Sequence, residues 1–240
     1  MIISCQQVVK CYASKVVLDE IDFGIKQGEF FGLVGMNGSG KSTLIKAILD
    51  LVGINAGTIT IQDRPHRSVN ARENIAYLPD RFSPPVHLRG QDFIQYMLKL
   101  HGNDCDQDEI EVVLEGLELD KEIMRESVNK LSKGMTQKLG LASCLLSGKS
   151  ILILDEPMSG LDPRARVLFK KQLAQLKQRG VTVFFSSHVL ADVEEMADTM
   201  AVLHNRKIYF SGSPEQFKLQ FHGENVEQAY MNCIENKVKS

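Results

Sequence analysis

Gly35-Met36-Asn37-Gly38-Ser39-Gly40-Lys41-Ser42 follows the apolar run Phe30-Phe31-Gly32-Leu33-Val34 and precedes an apolar helical pattern at Leu44, Ile45, Ile48 and Leu49. Strand, glycine-rich turn and helix in that order decide the fold. The glycines let the backbone curl so that successive N–H groups point inward, a nest that fits phosphate oxygens. The helix starting near Lys41 adds its positive N-terminal end. The spacing assigns Gly35, Asn37, Gly38, Ser39 and Gly40 to the cradle and Lys41 to the β- and γ-phosphates. It assigns the Ser42 hydroxyl to Mg2+ and Thr43 to the α-phosphate.

Around this segment the pattern alternates. Ile21, Phe23 and Ile25 alternate with polar or small residues, which predicts a half-buried antiparallel strand. Further strands are expected at Gly57–Ile61 and Asn74–Leu78. Ile151–Leu154 and Val181–Phe185 are fully apolar runs, and such runs between helices predict parallel strands buried on both faces. The helix between them has Asp162 as its N-cap and Pro163 at its first position. Helices over 91–101, 107–117 and 132–146 fill the middle of the chain, the last with Met135, Leu139, Ala142 and Leu146 on one face. The expected organisation is an α/β body at 1–80 and 150–221, a helical insertion at 81–149 and a tail at 222–240. In the tail, Val226, Tyr230 and Cys233 fall at helical spacing.

Composition narrows the function. Lys plus Arg is 28 and Asp plus Glu is 30, a near balance that argues against a nucleic-acid partner. No apolar run approaches the ~20 residues of a membrane-spanning helix, and no basic stretch followed by an apolar core opens the chain, so a cytosolic location is expected. Five cysteines without a Cys-x-x-Cys pair read as reduced thiols rather than as a disulfide framework or a zinc site.

Asp155 and Glu156 end the strand Ile151–Leu154. At the carboxyl edge of a parallel sheet, Asp155 suits a metal and Glu156 suits proton acceptance from an attacking water. The bland alternative is two solvated acids after a strand.

Later motifs carry a resemblance. Leu131-Ser132-Lys133-Gly134-Met135-Thr136-Gln137-Lys138 resembles the signature sequence of ATP-binding cassette (ABC) ATPases, whose commonest form is Leu-Ser-Gly-Gly-Gln. Ser159-Gly160-Leu161-Asp162 resembles their D-loop, and His188 their switch histidine. Tyr12, placed just before the first hairpin, is similar to the aromatic that stacks on adenine. By position after Tyr77-Leu78-Pro79, Asp80 replaces the Q-loop glutamine, one methylene shorter and charged but still able to ligate Mg2+. Met36 stands where the family commonly has proline. The Ser-Lys-Gly-Met string resembles the cytosolic subunits of the second type of bacterial exporter. Each lesser residue keeps a bland reading: Tyr12 as a strand-edge aromatic, His188 as a helix cap, and Ser132 with Gly134 as a helix start.

The resemblance implies a P-loop NTPase fold, with a RecA-like parallel sheet core, an N-terminal antiparallel β subdomain and a helical subdomain insertion. It implies ATP and Mg2+ as ligands, ATP hydrolysis and an integral membrane permease as partner. It further implies a head-to-tail dimer of two copies, in which Ser132 and Gly134 of one copy meet the P-loop of the other. The location follows as the cytoplasmic face of a membrane, and the direction of transport as export. The rival is a soluble ABC-type ATPase powering assembly of a complex such as an iron–sulfur scaffold. A segment around Phe82–Leu88, with Phe93 and Tyr96, reads either as a docking groove or as local core.

Overall fold

The run Phe30–Val34 is buried at every position, as a strand covered on both faces requires. A computed structural model describes residues 1–238. In chain order its first elements are β1 (Ile3–Tyr12), β2 (Lys15–Ile25), β3 (Phe30–Val34), α1 (Lys41–Ile48), β4 (Ala56–Ile61), β5 (Arg64–Pro65) and α2 (Val69–Arg72). There follow β6 (Ile75–Leu78), α3 (Gly90–His101), α4 (Gln107–Gly116), α5 (Lys121–Arg125), α6 (Lys133–Leu145), β7 (Ile151–Leu154) and α7 (Pro163–Gln178). The chain continues with β8 (Thr182–Ser187), α8 (Leu190–Met196), β9 (Thr199–His204), β10 (Lys207–Gly212), α9 (Pro214–Gln220) and α10 (Val226–Val238). These elements form two compact units, Met1–Glu73 with the segment from Thr182 onward, and Asn74–Val181.

The first unit holds an antiparallel sheet in the order β2-β1-β4-β5. It also holds β3 flanked by β8 and β9, both parallel to it, with β10 antiparallel to β9. Phe23 stacks on Phe31 at 5.2 Å and Phe31 meets Phe184 edge-on at 5.7 Å, which fastens the antiparallel sheet to the parallel strands. Burying rings of this size contributes about 1.5–3 kcal/mol each. Gly32 lets α8 approach closely, because a Cβ there would lie 2.7 Å from Val193 Cγ1. α9 begins with a capping box between Ser213 and Gln216.

In the second unit β6 and β7 run parallel, with Leu78 opposite Leu154. α6 lies close over β6, since a Cβ on Gly140 would meet Leu78 Cδ1 at 2.7 Å. Asp162 caps α7, accepting from the Ala165 amide at 2.9 Å with Pro163 in the first turn.

Several details differ from the sequence reading. Tyr12 is the last residue of β1, inside the first hairpin and paired with Lys15, rather than before it. β1, β9, β10 and α5 carry weaker patterns and were not expected. Bulges in β1 explain one case: register shifts between Cys5, Val8, Lys10 and Cys11 spoil its alternation.

Candidate functional site

In the first unit, β3 ends at Val34 and the chain turns at once into the glycine loop. Gly35 has no room for a side chain, because a Cβ would lie 2.4 Å from the Leu203 carbonyl oxygen and 2.6 Å from Ser39 Oγ. Gly38 and Gly40 have φ of 80° and 112°, backbone that glycine adopts without strain. Gly40 is also the N-cap of α1 and has no side chain to bond the first amides of the helix. Those amides, with the positive end of the helix dipole, suit an anion. Lys41 is 6% exposed and its Nζ donates to the carbonyl of Gly35 at 2.7 Å and of Met36 at 3.4 Å. Ser39 Oγ is buried without a hydrogen-bond partner. Ser42 and Thr43 are half-buried on the first turn of α1, and Asn37 is exposed.

His188 is exposed just past the end of β8. Ser187 is the register partner of Val34, so His188 and Gly35 leave adjacent strand ends. The Ser187 hydroxyl accepts from the Val189 amide at 2.9 Å, which shapes the turn that presents the imidazole. Tyr12 is 46% exposed, with Lys10 Nζ 4.6 Å from its ring centroid. That lysine also donates to the Gly53 carbonyl at 2.6 Å.

In the second unit, the Asp155 amide donates to the Leu78 carbonyl at 2.8 Å, extending the β6–β7 ladder by one residue. Asp155 is 1% exposed, whereas Asp80 is exposed. Burial, reinforced by the charges of Asp155 and Asp80, pushes the Tyr77 phenol up to about 12. Glu156 has φ of 51°, an uncommon conformation for a residue with a Cβ and one that concentrates at functional sites.

Ser132 is the N-cap of α6, its hydroxyl accepting from the Met135 amide at 3.2 Å while the side chain stays exposed. Gly134 faces the Gly160 carbonyl oxygen, which a Cβ would meet at 3.3 Å, so the signature segment and the D-loop touch within this unit. Gln137, 6% exposed, donates through Nε2 to the Pro157 carbonyl at 3.1 Å, tying α6 to the segment after Glu156. Sequence reading passed over Gln137, because a glutamine in a helix is ordinarily solvated and only its burial marks it. The ammonium of Lys138 and the guanidinium of Arg164 both pair with Glu118. The Ala165 amide, aided by the Lys138 and Arg164 charges, holds the Asp162 carboxyl below its usual range.

The segment considered as a groove divides. Phe82, half-buried, packs edge-on against Phe93 at 5.7 Å, and Phe93 is 2% exposed and belongs to the core. Val86, Tyr96 and Leu100 are the apolar residues left exposed there. Among the described residues no helix is long and apolar enough to cross a membrane.

A sequence profile described as ABC transporter matches residues 18–159, more than half of the chain. An uncharacterised ABC transporter ATP-binding protein of Synechocystis is 35% identical over 199 residues, 82% of this chain and 56% of that one. A Nod factor export ATP-binding protein of Mesorhizobium japonicum is 32% identical over 227 residues, 93% of this chain and 66% of that one. The chain thus spans little more than half of the first relative and about two thirds of the second. A solved ATP-binding subunit of an ABC transporter superposes with a TM-score of 0.86 at 26% identity, covering 98% of this chain and 100% of that one. A dimeric ATP-binding cassette bound to ADP and Pi shares the fold at a TM-score of 0.79 and 20% identity, covering 88% and 98%. The fold is that of a P-loop NTPase, and the chain belongs to the ABC transporter family and carries its ATPase domain.

Proposed function

We propose that this chain binds and hydrolyses ATP to drive an exporter, through closure of two copies around nucleotide. The observation that carries the reading is the glycine loop. Its backbone opens at Gly38 and Gly40 into an uncapped helix start, and the buried ammonium of Lys41 leans on the Gly35 carbonyl. Gly35, Asn37, Gly38, Ser39 and Gly40 form the phosphate cradle, with Thr43 at the α-phosphate and Tyr12 under the adenine.

Lys41 neutralises charge on the β- and γ-phosphates as in-line attack develops, and His188 orients the γ-phosphate. Glu156 accepts the proton of the attacking water. Ser42, Asp155 and Asp80 offer a hydroxyl and two carboxylates, hard oxygen donors that suit Mg2+. Among the described residues no group of three or more His, Cys, Asp or Glu could hold a metal unaided. Mg2+ bound at those oxygen donors would supply charge neutralisation for the phosphates.

Ser132 and Gly134 contact the nucleotide held by the other copy. Ser132 is exposed at a helix N-terminus, which favours an anion there. The solved cassette with ADP and Pi is a dimer, and the Mesorhizobium relative is named for export. Both support this reading, with an integral membrane permease as partner at the cytoplasmic face.

Glu156→Gln tests it. The amide keeps the shape but accepts no proton, so hydrolysis should fall roughly 10²–10⁴-fold while Mg-ATP binding persists. The variant should then elute as a dimer with Mg-ATP and as a monomer with ADP, because nucleotide that binds only the closed form shifts the balance by mass action. Adding Ser132→Arg should abolish that dimer. A Glu156→Gln chain that binds Mg-ATP tightly yet stays monomeric, with and without its permease, would overturn the shared-site mechanism.

A further inference from the structure

Tyr12 sits on a frame built around both ends of α1. At the start of that helix, a Cβ on Gly40 would lie 3.2 Å from the Val17 carbonyl oxygen and 3.0 Å from Leu18 Cδ2, so β2 lies against the glycine loop. Tyr12 pairs with Lys15 across the hairpin, two residues before Val17. The ring is thus carried on the hairpin that touches the phosphate loop.

Past the end of α1, the connection to β4 grips β1 at three successive residues. The Asn55 amide donates to the Val9 carbonyl at 2.8 Å. Lys10 Nζ donates to the Gly53 carbonyl at 2.6 Å. The Cys11 amide donates to Asn55 Oδ1 at 2.7 Å. Two of these bonds fix the backbone that leads into Tyr12, and the third fixes a cation.

That cation has a second contact. Lys10 and Tyr12 are two apart on β1, the period that puts side chains on one face of a strand. Lys10 Nζ lies over the Tyr12 ring, 4.6 Å from its centroid, close enough for the negative face of the ring to attract the ammonium. One face of the ring is therefore covered by a charge that a carbonyl holds in place. Tyr12 as a whole stays exposed, and the face turned away from Lys10 is the one on which a planar base can stack. A free aromatic side chain loses freedom when a ligand stacks on it, and a ring held beforehand avoids that cost.

We propose that Lys10 is a positioning residue for the base of the nucleotide: its ammonium, moored on the Gly53 carbonyl, occupies one face of Tyr12 and fixes the ring with its other face toward adenine. This role rests on the reading of the glycine loop as a nucleotide site with Tyr12 under the adenine. Lys10 acts through Tyr12 and touches neither base nor phosphate.

Calorimetric titration of the full chain with Mg-ATP, and with Mg-tripolyphosphate, which carries no base, tests it. Lys10→Met keeps a long stem and removes the charge. It should weaken Mg-ATP binding about two- to tenfold, what ordering one side chain on binding costs, and leave Mg-tripolyphosphate within about 1.5-fold of wild type. Lys10→Arg, whose guanidinium also stacks on aromatic faces, should restore wild-type affinity. In a Tyr12→Leu background, Lys10→Met should cause no further loss. Unchanged or tighter Mg-ATP binding by Lys10→Met would overturn the proposal. So would an equal loss with Mg-tripolyphosphate, the same loss in both Tyr12 backgrounds, or no rescue by arginine. Wild-type Mg-ATP affinity in Tyr12→Leu alone would sink the base-stacking reading and the proposal with it. Failure of the wild-type chain to bind either ligand would sink the nucleotide site as a whole, a result distinct from all of these.

Discussion

Val34 and Ser187 are register partners across the parallel β3–β8 pair. Parallel pairing sends both chains out of the sheet in the same direction, so the glycine loop and His188 emerge side by side although most of the chain separates them. This is the carboxyl edge, where open α/β sheets bind ligands.

His188→Ala should therefore lower ATP turnover while sparing ADP affinity, because the imidazole acts on the γ-phosphate. Loss of one donor aimed at developing charge costs roughly 10²–10³-fold in kcat. Steady-state hydrolysis with ADP titration checks it, and equal weakening of ATP and ADP binding would assign His188 a structural duty instead.

Gly35→Ala places a methyl 2.4 Å from the Leu203 carbonyl oxygen. A backbone atom cannot swing aside, so the loop or β9 must shift, at a cost of about 1–3 kcal/mol for overpacking. Gly53→Ala, with open space around its Cβ, is the control. Calorimetry should show a lowered midpoint for the first and little change for the second. Nucleotide binding should fail only in the first.

Asp80 is exposed, and its charge is felt at Tyr77. Asp80→Gln should change stability by less than about 0.5 kcal/mol, as exposed substitutions do, and should preserve or raise basal ATPase activity. A collapse of activity by orders of magnitude would mean that the carboxylate itself is required.

His66 and His101 titrate below the ordinary histidine value of 6.5, His66 through burial and His101 through burial reinforced by the Lys149 charge. A base whose folded value is depressed stays neutral while the unfolded chain already takes up its proton. Stability is then constant above about 6.5 and falls as the pH drops from there toward the lowered values. His66→Gln should make that acid-side slope shallower, leaving the share of His101. Thermal unfolding between pH 7.5 and 5 measures it, and a slope equal to wild type would clear His66 of any part.

Much of this was legible from local pattern. Gly35 to Ser42 announced a strand, a tight turn and a helix, because short-range sterics and period dictate those three. Pro163 after Asp162 marked the start of α7 for the same reason, and Val226, Tyr230 and Cys233 marked one face of α10. The Phe82 groove was not separable from core, since an apolar run looks alike in both settings until Phe93 is seen beneath it. β1 escaped notice because its bulges break the alternation a strand is read by.

Sequence alone determined the strand, tight turn and helix around Gly35–Ser42 and which strands lie buried, since backbone freedom at glycine and the burial of apolar runs are local properties. Tertiary structure alone decided the pairings. Ser187 falls opposite Val34, and Gln137 reaches Pro157. Each is a contact between segments far apart in the chain. No periodicity encodes such a contact, because it depends on how strands register and how closely a helix can approach.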